Sequence, residues 1–211
     1  MTRPSPGHAA ATWGAVSSAL GARPRRFDPP LPNRAAVALV LRESVAADLE
    51  ILLVRRAQHP ADPWSGHMAF PGGRFEDRDG SLLATAVRET AEETGLTLEP
   101  SHLLGALDEI RATGRGRVLD LSIAPFVFRC AGNADAHLSD ELVSAHWIDL
   151  NVLVAEPARG TVPIVLHNRT WGYPCLRVDG QVVWGLTYRM LSDFVRRLGL
   201  ADLPRDPEGA P

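Results

Sequence analysis

Cysteine is scarce in this chain, with Cys130 and Cys175 alone among 211 residues. They show no CxxC spacing and no neighbouring histidine pattern, which argues against a zinc site or a disulfide framework. The count leaves one bridge between them open, and two buried free thiols in a reducing compartment are the preferred reading. Long hydrophobic runs are missing as well. No stretch approaches the ~20 apolar residues that span a bilayer. An excess of one charge is also lacking. Lysine plus arginine total 22 against 25 acids, a formal net charge of −3. Neither nucleic acid nor a membrane is therefore an expected partner. A negatively charged substrate has to be held by local groups or by bound metal. No internal repeat or extended low-complexity tract is present.

What is there suits a soluble globular protein: 45% hydrophobic and 22% charged residues, enough for one domain with extensions. Residues 1–27 contain arginines and no acid, and in that respect resemble an organelle transit peptide. The whole chain shares this Ala/Arg/Pro/Gly bias, so a cytoplasmic location is expected. A short helix is expected over residues 9–20. Pro24, Pro29, Pro30 and Pro32 then read as a linker. The division is thus an extension and linker over 1–33, a compact domain over 34–200, and a tail over 201–211.

Within the domain, apolar β-compatible runs at 35–42 and 50–55 flank a hairpin loop at 44–48. The proline-bearing stretch 59–64 reads as loop. Met68-Ala69-Phe70 is a short apolar segment that stops at Pro71-Gly72-Gly73. Residues 81–94 give the clearest helix, with Asp79 or Ser81 as its cap and Gly95 just past its end. At 100° per residue, Leu82, Leu83, Ala86, Val87, Thr90 and Ala91 share one side, and Glu89, Glu92 and Glu93 share the other. Further strands are expected at 103–110, 119–128 and 143–148. A hairpin is expected at 175–178 and 181–184 around Asp179-Gly180. An amphipathic helix at 186–198 turns Leu186, Met190, Leu191, Phe194, Val195 and Leu198 inward. Many strands with two principal helices indicate a mixed α/β sandwich.

Three carboxylates at i, i+3 and i+4 repel one another and weaken an isolated helix by a few tenths of a kcal/mol per pair. Alone, the spacing is most simply a solvated acidic face. A hard cation among them reverses the sign, because magnesium takes oxygen ligands while keeping waters and substrate phosphate in its shell. The context favours this reading. A Pro-Gly-Gly turn, where backbone approaches a ligand closely, precedes the string Arg88-Glu89-Thr90-Ala91-Glu92-Glu93-Thr94-Gly95-Leu96.

Here the chain resembles the Nudix hydrolases, whose signature reads G-x5-E-x7-R-E-U-x-E-E-x-G-U with U a bulky apolar residue. Arg88-Glu89, Glu92-Glu93, Gly95 and Leu96 match in order and spacing, whereas Thr90 stands at an aliphatic position. The interval from Gly73 to Arg88 is one residue longer, and Gly80 stands where the signature has glutamate. Asp79 or Glu76 is then the acid partner of Arg88. The resemblance implies a Nudix fold, a mixed β-sheet sandwiched between helices. It also implies Mg2+ or Mn2+ held by Glu89, Glu92, Glu93 and the Gly72 carbonyl. Arg88 orients carboxylates in the family, and either Glu92 or Glu141, six residues before Trp147, has the part of the base. The implied reaction is hydrolysis of a phosphoanhydride in a small nucleotide-linked diphosphate by metal-activated water.

A finer resemblance is to coenzyme A pyrophosphatases. It rests on Leu52-Leu53-Val54-Arg55-Arg56, on Ser65-Gly66-His67-Met68-Ala69-Phe70-Pro71-Gly72-Gly73, and on Val183-Trp184-Gly185-Leu186-Thr187. Val54 replaces the usual threonine, and Pro60-Ala61-Asp62-Pro63-Trp64 replaces a stretch that normally carries a basic residue. This resemblance implies coenzyme A or an acyl-CoA as substrate, giving 3′,5′-ADP and 4′-phosphopantetheine. Arg55, Arg56 and Arg74 are the candidates for holding the extra phosphate. Trp64 and Trp184 either stack on adenine or pack in the core, with packing favoured for Trp184. His59 and His67 read as loop polar groups. Arg111, Arg115 and Arg117 around Gly114 and Gly116 outline a candidate substrate loop. ADP-ribose, NADH, a nucleoside triphosphate and a non-catalytic nucleotide-binding module are the competing readings. A homodimer is possible under any of them.

Overall fold

The computed structural model describes residues 11–59, 64–114, 116–130 and 136–208. Arg115, the 60–63 stretch and the first ten residues lie outside them, so the expectations placed there are not addressed by the structure.

The domain is built on a mixed sheet. Its spine runs β3 (Met68–Ala69), β2 (Leu49–Arg56), β1 (Asn33–Glu43), β7 (Arg117–Arg129), β5 (Leu103–Ala106). Three further strands attach to this spine: β4 (Gly72–Arg74) to β1, β6 (Ile110–Gly114) to β7, and β8 (Leu142–Asp149) to β2. β1 and β7 run parallel over nine residue pairs, from Asn33↔Leu121 to Leu41↔Arg129, while β2 and β4 pair with β1 antiparallel. A smaller antiparallel sheet holds β9 (Arg159–Leu166), β10 (Arg169–Val178) and β11 (Gln181–Trp184) in the order β11-β10-β9.

The near-continuous apolar sequence of β1 follows from its central place, since both its faces are covered. Ala36, Ala38 and Val40 join Leu52, Val54 and Phe128 beneath α2 (Leu82–Thr94). Leu39 and Leu41 join Ile51, Leu53, Leu191 and Phe194 on the opposite face, under α4 (Gly185–Arg197). All six residues expected on the inner side of α4 are buried. The expected sheet between helices is therefore present, with the smaller sheet added on the α4 side.

α2 begins and ends as its sequence directs. Ser81 Oγ accepts from Ala84 N at 3.1 Å, so Ser81 and not Asp79 is the cap. Gly95, at φ 70°, stops the helix in the left-handed region. One residue departs from the expected apolar side: Ala91 is exposed.

The segment ahead of β1 is docked on the domain. α1 (Trp13–Ala19) buries Val16, and Leu20 follows it into the main core. Downstream, Arg25 N donates to Asp108 Oδ1 at 2.7 Å and Glu109 N to Arg25 O at 2.9 Å. This grip explains why the strand expected over 103–110 is broken into β5 and β6: residues 107–109 turn out to hold the linker. The short helix α3 (Leu150–Val154) and the strand β9 had no counterpart among the expected elements. Both cysteines are free, Cys175 buried and Cys130 partly so.

Candidate active site

The site forms where the C-terminal half of α2 passes over the Pro71-Gly72-Gly73 turn. Gly72 has φ 151°, and a Cβ there would fall 2.3 Å from Ala36 O. At Gly73 a Cβ would fall 2.4 Å from the Cδ and Oε1 of Glu89. The two glycines thus let β4 press against β1 on one side and against a carboxylate on the other.

Glu93 is only 4% exposed, although the helical wheel places it on the acidic face. Its Oε2 accepts from Gly72 N at 2.9 Å, and its Oε1 lies 3.7 Å from Nη1 of Arg56. Burial raises its pKa to about 7 against these two opposing contacts, with Glu89 and Glu141 adding to the rise. Burial likewise raises Glu89, which also feels Glu92 and Glu141. Glu141 is exposed on the turn after residues 136–140. That segment is tied to the end of α2 by His137 N to Thr94 O (2.8 Å) and Ser139 N to Glu93 O (3.0 Å), and Ala57 N reaches Glu141 O at 2.8 Å.

The expected trio of glutamates is not brought together as such. Among the described residues no three His, Cys, Asp or Glu side chains converge as a metal cage. The Glu92 side chain is 53% exposed and turns toward Arg88 and Arg78. Arg88 Nη1 sits 2.9 Å from Glu89 Oε1 and 3.0 Å from Glu92 Oε2, so the two carboxylates share its charge. The physical reason for the split is the i+3 and i+4 geometry: Glu93 enters the space above the glycines, whereas Glu92 projects past it. Glu89 and Glu93 nevertheless present hard oxygen donors, crowded and partly desolvated, beside backbone without side chains. A divalent cation fits that donor chemistry.

The acid partner of Arg88 is Asp79 and not Glu76. Asp79 Oδ1 lies 2.7 Å from Nε, and Asp79 Oδ2 lies 3.0 Å from Nη2. Glu76 pairs with Arg78 at 2.8 Å. Arg88 Nη2 also donates to Arg74 O at 3.1 Å, which ties the helix to β4.

A cleft of about 390 Å3 opens beside this cluster, lined by Arg56, Arg74, Gly72 and Gly73 on one side and by Trp64, His67 and Trp184 on the other. Arg56 and Arg74 thus reach it. Arg55 does not line it; it occupies the adjacent β2 position, where alternation sends neighbouring side chains to opposite faces. His67, read only as a loop polar group, packs its ring 4.9 Å from that of Trp184. Trp184 is a cavity wall and not core. No spacing rule marked either residue, because they meet through the fold. Of the candidate arginine loop, Arg111 pairs with Asp120 and donates from Nε to Leu119 O at 3.0 Å.

Comparison with known proteins agrees with this architecture. An uncharacterized protein of Schizosaccharomyces pombe is 34% identical over 152 residues, spanning 63% of this chain and 46% of that protein. The chain therefore covers about half the length of that relative. An uncharacterized Nudix hydrolase, NudL, of Yersinia enterocolitica is 25% identical over 165 residues, 71% of this chain and 74% of its own. In fold, the chain is similar to a MutT/nudix family protein from Enterococcus faecalis (TM-score 0.52, 17% identity, 80% of this chain and 60% of that one). The NUDIX domain model matches residues 31–166, which hold β1, the glycine turn, α2 and β8, and the chain belongs to the NUDIX domain family.

Proposed function

We propose that this protein hydrolyses a phosphoanhydride bond in a nucleoside diphosphate-linked substrate with Mg2+ or Mn2+, and that coenzyme A or an acyl-CoA is that substrate. The observation that carries the reaction type is Glu93. A carboxylate buried beneath a glycine turn, beside Glu89 and within the field of Glu141, is costly unless positive charge is brought to it. Glu89 and Glu93 would hold the cation, with Glu92 joining as Arg88 releases it and the Gly72 carbonyl completing the set. A cation so held supplies charge neutralisation at the diphosphate and eases ionisation of water. Arg88, anchored by Asp79, positions the glutamates. Glu141, on its exposed turn, would take the proton from the attacking water, and Glu92 is the other candidate. Arg56 and Arg74, which line the cleft, would meet the substrate phosphates. Arg55 would contribute only from its margin.

The coenzyme A reading is supported by convergence. Of the three sequence segments behind it, residues 52–56 and 65–73 are near neighbours in the chain, and the distant segment 183–187 joins them at one cleft. Val54 and Arg55 pair with Ala69 and Met68, Thr187 Oγ1 donates to Met68 O at 2.9 Å, and Trp184 packs on His67. The test is a panel of coenzyme A, ADP-ribose, NADH and nucleoside triphosphates, each with Mg2+ or Mn2+ and product separation. Release of 3′,5′-ADP and 4′-phosphopantetheine with the highest kcat/KM is expected. Best turnover of ADP-ribose or a triphosphate would refute the coenzyme A assignment and leave the metal chemistry standing.

A further inference from the structure

A second cavity of about 850 Å3 adjoins the cleft, and nothing in the chemistry above uses it. Trp64, His67, Trp184 and Leu186 line both, so the two are continuous. Its walls are largely apolar. β9 alternates, turning Ile164 and Leu166 inward while Pro163 and Val165 are exposed. Val118 of β7, Tyr173 of β10 and Leu186 of α4 complete the lining. Five charged residues also line it: Arg196 pairs with Asp193, Arg189 lies 3.9 Å from Asp206, whose Oδ1 is buried without a hydrogen-bond partner among the described residues, and Arg205 is exposed. Its aromatic rings are engaged with one another. Trp184 meets Tyr173 edge-on at 5.9 Å and His67 at 4.9 Å, so ring faces are partly taken. Such walls suit an aliphatic chain better than a second phosphate or a second stacked base. The volume lies in the upper part of the range of about 300–1,000 Å3 typical of small-molecule sites.

We propose that this cavity receives the arm of the substrate beyond the cleaved diphosphate, and that the arm is long, uncharged and mostly apolar, of the acyl-pantetheine kind. The assignment of the arm rests on the diphosphate hydrolase reading of the neighbouring cleft. Leu186 and Trp184 form the threshold between the reacting phosphates and the arm.

The test separates the two readings by using a probe without a diphosphate. S-decanoyl-pantetheine is titrated calorimetrically into the protein in metal-free buffer. Binding is expected, and Leu166→Trp, which fills the cavity from β9, should weaken it at least tenfold. Val118→Trp fills it from the opposite wall at an exposed position and should act alike, with circular dichroism melts checking that each variant folds. In parallel, kcat/KM for decanoyl-CoA should exceed that for free coenzyme A in the parent and fall to the same value in both variants. No binding by the parent, or binding indifferent to both tryptophans, overturns the inference whatever the enzyme hydrolyses. Arm binding that both tryptophans abolish, without turnover of any coenzyme A ester, supports the cavity's role and counts instead against the proposed function.

Discussion

Asp79 grips Arg88 with both carboxylate oxygens, at 2.7 Å to Nε and 3.0 Å to Nη2, and is itself only 2% exposed. The Arg88 hydrogen bonds hold the Asp79 carboxyl well below the ordinary carboxylate range, and Asp79 in turn raises the Arg88 guanidinium. Asp79→Asn leaves a mostly buried guanidinium short of its principal counter-charge, a loss of about 3 kcal/mol. Because the folded-state pKa is depressed, the pair contributes fully above the unfolded value of about 4 and loses its contribution as pH falls through the folded value. Urea unfolding of parent and variant should therefore differ most at neutral pH and converge in acid. A gap that persists undiminished at pH 2 would contradict this assignment.

Adjacent glycines in the turn should respond in different ways. An alanine methyl at Gly72 would meet the Ala36 carbonyl and Val37 Cα, both backbone, at a φ that disfavours side chains. Gly72→Ala should cost roughly 2 kcal/mol or more of stability. The nearest atoms to an alanine methyl at Gly73 belong to the end of the Glu89 side chain, which can swing away. Gly73→Ala should leave the melting temperature within a few degrees of the parent while kcat falls about tenfold, ~1.4 kcal/mol of barrier. Equal thermal loss in both variants would show that Gly73 does not act through Glu89.

α2 was legible from sequence because its period, its Ser81 cap and its Gly95 stop all agree. β1 was legible because a central strand is apolar on both faces. β9 was not, since Gly160 and Pro163 interrupt it. Pro163 is tolerated because β9 is the edge of its sheet, where a missing N–H leaves no ladder bond unmade. α3, at five residues, is too short to carry a period. In the site, the glutamates were legible as a set but their division was not. Whether Glu93 is buried depends on what lies over it, and that is a glycine turn with no side chains of its own. The wall formed by His67 and Trp184 left no mark in local spacing, because the two residues are distant in sequence.

The segment before β1 should be more than a tether. Leu20 is buried in the main core, and a Cβ on Gly105 of β5 would lie 2.8 Å from Leu20 Cβ. Truncating a buried leucine costs about 2–5 kcal/mol depending on how far the site collapses. Leu20→Ala should lower the denaturation midpoint accordingly with an unchanged m-value, while Gly21→Ala nearby should have a small effect. An unaltered midpoint for Leu20→Ala would mean that α1 is detached in solution.

Glu93→Gln separates the chemical part of the site from its architecture. Glutamine keeps an oxygen to accept from Gly72 N–H, so the turn should hold its place, and the buried charge is removed. The melting temperature in metal-free buffer should therefore be at least that of the parent. Turnover should nonetheless fall at least ~100-fold, about 2.7 kcal/mol of barrier, and calorimetric uptake of Mn2+ should weaken in parallel. The paired readout matters because Arg56 also faces this carboxylate at 3.7 Å. If Glu93 served only to anchor Arg56, activity would drop through KM for the substrate while Mn2+ binding stayed as in the parent. If it holds the cation, kcat and Mn2+ affinity fall together.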